Sequence, residues 1–100
     1  MTAENEKSAE FQCGYIKQIV KDFEKGLDKN TEIAIKLASF GQSVTISVET
    51  IEYRNPSLII FNGFIGSNSA TLIQNVSQLS FFLLAQQKEP GRNARRIGFL

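Results

Sequence analysis

The arginines of this sequence are concentrated near its C-terminal end, and this residue type can hold an anion. Arg92, Arg95 and Arg96 fall within five residues, and the remaining arginine is Arg54. A guanidinium donates two parallel hydrogen bonds to a phosphate or carboxylate and also stacks on a flat ring. The cluster therefore predicts a site for a small anionic molecule, with a solvated basic edge as the structural alternative.

The same half of the chain supplies the other groups that a nucleotide-like ligand requires. Asn75 or Gln74 offers an amide for base edges, and Phe61, Phe64 or Tyr53 offers a ring for stacking. If these groups converge in space, the ligand-binding residues are Arg92, Arg95, Arg96, Asn75, Phe64 and Arg54.

The charge distribution agrees with an anion site in the second half. Residues 1–52 carry nine acidic residues and six lysines, a net charge of −3, whereas residues 53–100 carry one acidic and five basic residues, a net charge of +4. Head-to-tail contacts between subunits and ordinary surface charge are the alternatives. Nucleic acid is not an expected partner, because three clustered arginines in a chain of net charge +1 form a small footprint.

Enzymatic chemistry lacks its usual parts. The chain has no histidine, so neither an imidazole base nor a histidine-ligated metal can be built. Cys13 lies beside Phe11 and Tyr15 in a predicted helix, which indicates a packing residue. Glu49 and Glu52 are better placed for salt bridges with the arginines than for acid catalysis. We expect a non-enzymatic protein with no catalytic residue, metal site or cofactor.

Hydrophobic periodicity predicts an α+β fold. Spacing of three and four over residues 8–27 indicates an amphipathic helix, with Gly14 inside it, either for close packing or because it is tolerated. Alternation over residues 33–48 predicts a hairpin, although residues 32–39 could also be helical. Residues 58–61 and 70–74 predict a second hairpin whose connection, residues 62–69, has neither the spacing nor the lysine of a phosphate-binding loop. A C-terminal helix is predicted from Val76, capped by Asn75 or Ser77, and a short edge strand over residues 97–100.

The expected architecture is therefore an N-terminal helix, an antiparallel sheet of four to five strands, a C-terminal helix and an edge strand. One hundred residues fit a single domain, 1–100, with residues 1–7 flexible. A chain this small without a disulfide has a thin stability margin, so a homo-oligomer is expected. The lone cysteine, together with the absence of an apolar leader or membrane span, favours the cytoplasm and no membrane association.

Three segments of the sequence resemble a small bacterial and prophage family catalogued only as a domain of unknown function. They are NPSLIIFNG at residues 55–63, LIQNVSQLS at residues 72–80 and RRIGF at residues 95–99. The resemblance extends over residues 31–99 and implies no established activity.

A weaker resemblance is to phage sponge proteins, small non-enzymatic oligomers that sequester the cyclic nucleotide or cyclic ADP-ribose signals of bacterial antiviral systems. In one such group an asparagine and two arginines hold the ligand, and Asn75, Arg92 and Arg96 are spaced comparably. Ile65 holds the place of that group's aromatic residue, and Phe64 is its neighbour. This resemblance implies a sponge for a phosphate-bearing nucleotide. The alternative function is a protein–protein interaction module or inhibitor that docks through the apolar segment 76–85.

Overall fold

The computed structural model describes residues 8–39 and 42–100. The helix α1 spans Ala9–Glu24, and a 3-10 turn spans Val76–Gln78. Six strands are present in the described residues: β1 (Thr31–Ser39), β2 (Gln42–Arg54), β3 (Leu58–Ile65), β4 (Asn68–Asn75), β5 (Phe82–Gln87) and β6 (Gly98–Phe99). The flexibility expected for residues 1–7 and the link predicted at residues 40–41 lie outside the described residues.

The strands form one sheet in the order β4-β3-β2-β1-β5, and each neighbouring pair is antiparallel. β1 pairs with the first half of β2, whereas β3 pairs with β2 from Ser47 onward. The short strand β6 runs parallel to β2 and pairs with it at Thr50 and Ile51, beyond the stretch of β2 that β1 covers. The edges of the sheet are therefore β4 and β5.

The start of α1 is fixed on the sheet by acceptors outside the helix. The Ser8 side chain caps the helix by accepting the N–H of the third helical residue. The loop between β2 and β3 supplies two more acceptors: the Pro56 carbonyl for the Ala9 N–H, at 2.8 Å, and the Asn55 side chain for the Glu10 N–H, at 3.1 Å. Because these N–H groups have no partner within a helix, the loop gives α1 a defined starting point.

The core lies on one face of the sheet, which we call the helix face. Successive residues of a strand point to opposite faces, so alternation places the β-branched and aromatic residues together. Those fully or almost fully buried on the strands are Ile33, Ile35, Ile46, Val48, Ile51, Ile59 and Phe61. Ala9, Cys13 and Val20 of α1 complete the same cluster. Glu32 and Ala34 lie on the other face, which we call the opposite face.

Residues 76–81, the crossing segment, connect β4 at one edge of the sheet with β5 at the other. Val76, Leu79 and Phe81 pack against the core cluster. The rings of Phe61 and Phe81 meet edge to face, with centroids 5.3 Å apart. The crossing segment therefore shares the cover of the core with α1.

Residues 97–100 join α1 to the sheet. Ile97 is buried, its N–H donates to the Glu24 carboxylate at 2.8 Å, and its carbonyl accepts a hydrogen bond from the Lys21 ammonium at 2.9 Å. The Leu100 N–H then donates to the Ile51 carbonyl at 3.1 Å. This segment consequently fixes the last turns of α1.

The predicted fold class is wrong in its C-terminal half. Residues 76–86 do not form a helix; they form the 3-10 turn, an extended segment and most of the strand β5. The sheet consequently has six strands rather than four or five, and the last short strand lies beside β2 instead of forming an edge. The observed molecule is mostly antiparallel sheet, with α1 as the one α-helix of the described residues. Residues 32–39, for which a helix was the alternative, are a strand.

Candidate ligand-binding site

Arg92 is held by a buried carboxylate. Its Nη1 and Nη2 donate to Oε1 and Oε2 of Glu32 at 2.7 and 2.8 Å. Glu32 lies on the opposite face in β1, with 1% of its surface exposed. This is the two-pronged geometry that makes arginine suited to anions, but here the anion belongs to the protein itself.

Arg95 completes the surroundings of Glu32. Its backbone N–H donates to Glu32 Oε1 at 3.0 Å, and its guanidinium lies 3.8 Å from Oε2. The hydrogen bonds from Arg92, with those from Arg95, hold the pKa of Glu32 below its usual value, although burial acts in the other direction. Among the described residues, the partners of the Glu32 charge therefore all come from residues 92–95.

The structure brings Arg95 and Phe64 together, as a ligand site would need. The Arg95 guanidinium lies over the Phe64 ring, 4.7 Å from its centroid, on the opposite face. Its Nε is also 3.9 Å from the Glu49 carboxylate. The flat face of the Arg95 guanidinium therefore already stacks on an aromatic ring of the chain. A cation–π contact of this kind is worth about 1 kcal/mol or less at a partly exposed position.

Arg96 closes the turn that precedes β1. Its Nη1 donates to the Thr31 carbonyl at 2.8 Å, and its Nη2 donates to the Asp28 carbonyl at 3.0 Å. Both carbonyl oxygens accept hydrogen bonds from a charged donor. The Arg96 guanidinium therefore connects residues 28–31 to the C-terminal segment.

Arg54 and Asn75 lie in another part of the sheet. Both stand in one row across β2, β3 and β4, on either side of Leu58. Arg54 Nη1 is 2.7 Å from the Glu52 carboxylate, and the Asn75 side chain accepts the Ser77 N–H at 3.0 Å as the cap of the 3-10 turn. The six predicted site residues thus form two groups: Arg92, Arg95, Arg96 and Phe64 in one, Arg54 and Asn75 in the other.

A pocket that the sequence did not indicate lies beside the crossing segment. We call it the amide pocket; its volume is about 420 Å³, and it is lined by Lys36, Leu37, Gln74, Gln78, Ser80, Phe81 and Phe82. The side-chain oxygen of Gln74 is buried and has no hydrogen-bond partner in the part of the chain that the structure describes. An unpaired buried acceptor costs about 1–3 kcal/mol, so this oxygen calls for a partner beyond the described residues.

Lys36 brings a positive charge to the amide pocket. It is exposed on β1, opposite Phe82 of β5, and pairs with no carboxylate among the described residues. The signal available in the sequence is Gln74, an amide in a segment that alternates with apolar residues, which indicates a contact with base edges but not a position beside Lys36. Lys36 and Ser80 carried no signal, because their neighbours in space come from distant segments.

An apolar groove adjoins the amide pocket on the other side of the crossing segment. Its volume is about 360 Å³, and it is lined by Ile16, Ile19, Val20, Leu79, Ser80, Phe81 and Leu83. Ile19 on α1 is 60% exposed, although it faces this groove. The groove can accept an apolar side chain but offers almost no hydrogen-bonding group.

The described residues hold neither a metal-binding cluster nor an α-helix that could cross a membrane. They contain no group of three or more histidine, cysteine, aspartate or glutamate side chains that could hold a metal ion. Among the same residues, no α-helix combines the length and the hydropathy that crossing a bilayer demands.

The fold and the pockets define a class: a small antiparallel-sheet domain with one covering helix, whose arginines bind its own carboxylate and carbonyl groups. Within that class the chain belongs to a family of unknown function, DUF6173, whose model matches residues 5–100. The resemblance to a domain of unknown function is therefore confirmed. No curated protein and no solved structure shows significant similarity to this chain.

Proposed function

We propose that this protein is a non-enzymatic binding module that receives a small, flat molecule with a negative charge in the amide pocket. The observation that carries the proposal is the buried Gln74 oxygen, which lacks a hydrogen-bond partner among the described residues. Most buried polar groups in folded proteins are paired, and the exceptions point to a bound water, ion or ligand. The absence of histidine from the sequence supports binding rather than catalysis.

The lining of the amide pocket favours a heterocycle over an aliphatic ligand. The Gln74 oxygen accepts from a ring N–H, while Gln78 and Ser80 supply further polar groups. Phe81 and Phe82 offer ring surfaces for stacking. A few polar groups among apolar and aromatic side chains is the usual composition of small-molecule sites.

Lys36 supports the negative charge of the proposed ligand. An ammonium without a carboxylate partner in the described residues attracts phosphate or carboxylate, which it contacts as a point charge. A base edge for Gln74, a ring for the phenylalanines and a phosphate for Lys36 together describe a nucleotide. A sponge for a nucleotide signal is the finer form of this proposal, and its support is the weaker sequence resemblance.

The proposed site differs from the arginine cluster for a physical reason. Arg92 and Arg96 already donate to protein oxygens at 2.7–3.0 Å, and a ligand would have to displace those contacts. Breaking a buried carboxylate–arginine pair costs about 3–5 kcal/mol, which a ligand must recover before it binds at all. The amide pocket requires no broken ion pair, and only the Gln74 amide, whose oxygen is buried, has to turn toward the ligand.

Calorimetry tests the proposal directly. The purified protein is titrated with mononucleotides, cyclic dinucleotides and ADP-ribose derivatives, and we expect saturable binding by at least one of them. Gln74→Leu removes the acceptor with little change of volume, and Lys36→Gln removes the charge. Each is expected to weaken binding by about 10- to 100-fold, the worth of a hydrogen bond to a charged or buried group.

Lys29→Gln is the matched control, because it removes one positive charge from an exposed turn that does not line the pocket. It should bind as the unaltered protein does. Absence of binding across the panel would contradict the proposal and leave ordered water as the partner of Gln74. Equal loss in Lys36→Gln and Lys29→Gln, with none in Gln74→Leu, would show that net charge, and not the pocket, governs binding.

A second candidate function, docking of a partner protein, is favoured by the apolar groove. Ile19 and Phe82 expose large apolar surfaces on either side of the crossing segment, and Phe82 belongs to the segment 76–85 through which docking was expected. We expect Ile19→Asp to abolish copurification of a stoichiometric partner, whereas Gln18→Asp on the neighbouring exposed position should retain it. A protein that purifies alone from its native source speaks against this candidate.

A further inference from the structure

We infer that β5 is the surface through which two copies of this chain pair, edge to edge, into one continuous sheet. β5 lies at the end of the sheet, with β1 on one side and no strand on the other in the described part of the chain. A free strand edge is a row of N–H and carbonyl groups that another strand can match.

The backbone of β5 shows which groups are available. The Lys88 N–H donates to the Asn30 carbonyl at 2.9 Å, in register with the β1–β5 ladder. Because bonded and non-bonded pairs alternate in an antiparallel ladder, the even-numbered amide groups of β5 point to β1. The amide groups of Leu83, Ala85 and Gln87 consequently point to the free edge.

The side chains of β5 do not protect this edge. The strand contains neither a charged residue nor a proline, the two devices by which monomeric proteins guard exposed edges. Phe82 is 69% exposed and Leu84 is 37% exposed, both on the opposite face. The other edge strand, β4, has Ile73 as its one exposed large apolar side chain, among hydroxyl and amide groups.

A second copy of the chain fits this edge because β5 matches itself. Antiparallel pairing about a two-fold axis at Leu83 sets Phe82 opposite Leu84 of the second copy, and the reverse, so four apolar side chains form one cluster. Cross-strand aromatic and aliphatic pairs of this kind stabilise sheets, and the strand carries no charge that would repel its own copy. An interface in which each copy uses the same patch is closed and ends at a dimer.

The dimer also bears on the amide pocket, since Phe82 lines it. Leu84 of the second copy would cover the exposed side of that ring and narrow the pocket. An effect of the dimer on ligand binding rests on the proposed function, whereas the inference of the dimer itself does not. A dimer that binds no nucleotide would therefore overturn the proposed function alone.

Light scattering coupled to gel filtration tests the interface. We expect the unaltered protein to be a dimer that dissociates on dilution. Leu84→Lys and Phe82→Lys should each raise the dimer dissociation constant by at least about tenfold, or 1.4 kcal/mol. Ile73→Lys, which puts the same charge on the other edge strand, should leave it unchanged. Circular dichroism confirms that each variant is folded; two Lys variants guard against one that does not fold.

Hydrogen exchange tests the same interface without a substitution, because it measures the protection of individual backbone amides. The amides of Leu83 and Ala85 should be protected at high protein concentration and exchange faster on dilution. The amides of Leu84 and Gln86, which face β1, should be protected at both concentrations. A protein that is monomeric at all concentrations, or a dimer that Ile73→Lys dissociates and Leu84→Lys does not, would overturn the inference.

Discussion

Arg92 and Glu32, sixty residues apart in the chain, form a two-pronged pair at 2.7 and 2.8 Å in which the carboxylate is almost wholly buried. The pair fastens the C-terminal basic segment to β1. A buried carboxylate that loses its partner is far more costly than an exposed one, because neither water nor another cation replaces the lost contacts.

We expect Arg92→Ala to lower the free energy of unfolding by about 3 kcal/mol, because it leaves the Glu32 charge buried with the Arg95 donors alone. Urea denaturation followed by circular dichroism measures the change. Arg54→Ala is the control: the Arg54 side chain is 63% exposed, and its partner Glu52 keeps a hydrogen bond from the Asn62 amide, so we expect a cost of about 1 kcal/mol or less. Equal effects of the two substitutions would contradict the structural role of Arg92.

The pH dependence of stability should carry the signature of Glu32. Folding lowers the pKa of this carboxyl, chiefly through the hydrogen bonds from Arg92. Its contribution is therefore complete above the unfolded pKa, about 4.3, and is lost as the pH falls through the lower folded value. The difference in unfolding free energy between the unaltered protein and Glu32→Gln should be greatest near neutral pH and shrink in acid. A difference that is constant with pH would refute the assignment.

Two glycines should respond oppositely to alanine. A Cβ on Gly63 would collide with the Ser47 carbonyl of β2, next to the register shift at residues 48–50, so Gly63→Ala should cost about 2 kcal/mol or more. A Cβ on Gly14 meets nothing in the described residues, so Gly14→Ala should stabilise α1 by about 0.5–1 kcal/mol. Thermal denaturation of both variants measures the sign of each change in stability. Destabilisation by Gly14→Ala would contradict the open surroundings of that residue. The open space answers the question that the sequence raised: Gly14 is tolerated.

Cys13 should react slowly with thiol reagents in the folded protein. It lies on the buried face of α1, and burial raises the pKa of its thiol, with Lys17 acting in the other direction. Since the thiolate is the reactive form, labelling at neutral pH should require opening of the helix. Cys13 is the one cysteine in the sequence, so a colorimetric thiol assay reports this site alone. Native labelling as fast as that in denaturant would disprove the buried position.

The pattern of apolar residues made much of the sheet predictable, but it did not reveal the structure of residues 76–86. Residues 33–48 alternate, residues 58–61 of β3 form a short apolar run, and Gly66, with φ 62°, marks the turn between β3 and β4. In residues 76–86, Leu79, Phe82 and Leu83 keep helical spacing, yet Phe82 and Leu84 belong to an edge strand that is apolar on both faces. A short run of this kind cannot be told from a buried helix by period alone.

The candidate site was less predictable than the fold. Composition singles out the arginines as unusual, but it cannot separate an arginine free for a ligand from one bound to Glu32, since the partner lies in a distant strand. The amide pocket combines Lys36, Gln74 and Ser80 from three segments. These three side chains come together because residues 76–81 cross the sheet. A helix predicted for the same residues places them elsewhere, so the pocket could not be predicted.

The contacts of Ile97 with α1 have a consequence for the speed of folding. The Ile97 N–H reaches Glu24 across 73 residues of sequence, and β6 pairs with Thr50 and Ile51 of β2, which lie far before it in the chain. Closing so long a loop carries an entropic cost before any contact repays it. Chains governed by such distant pairings fold over about milliseconds to seconds, so we expect α1 to become protected from hydrogen exchange late, when its last turns meet Ile97.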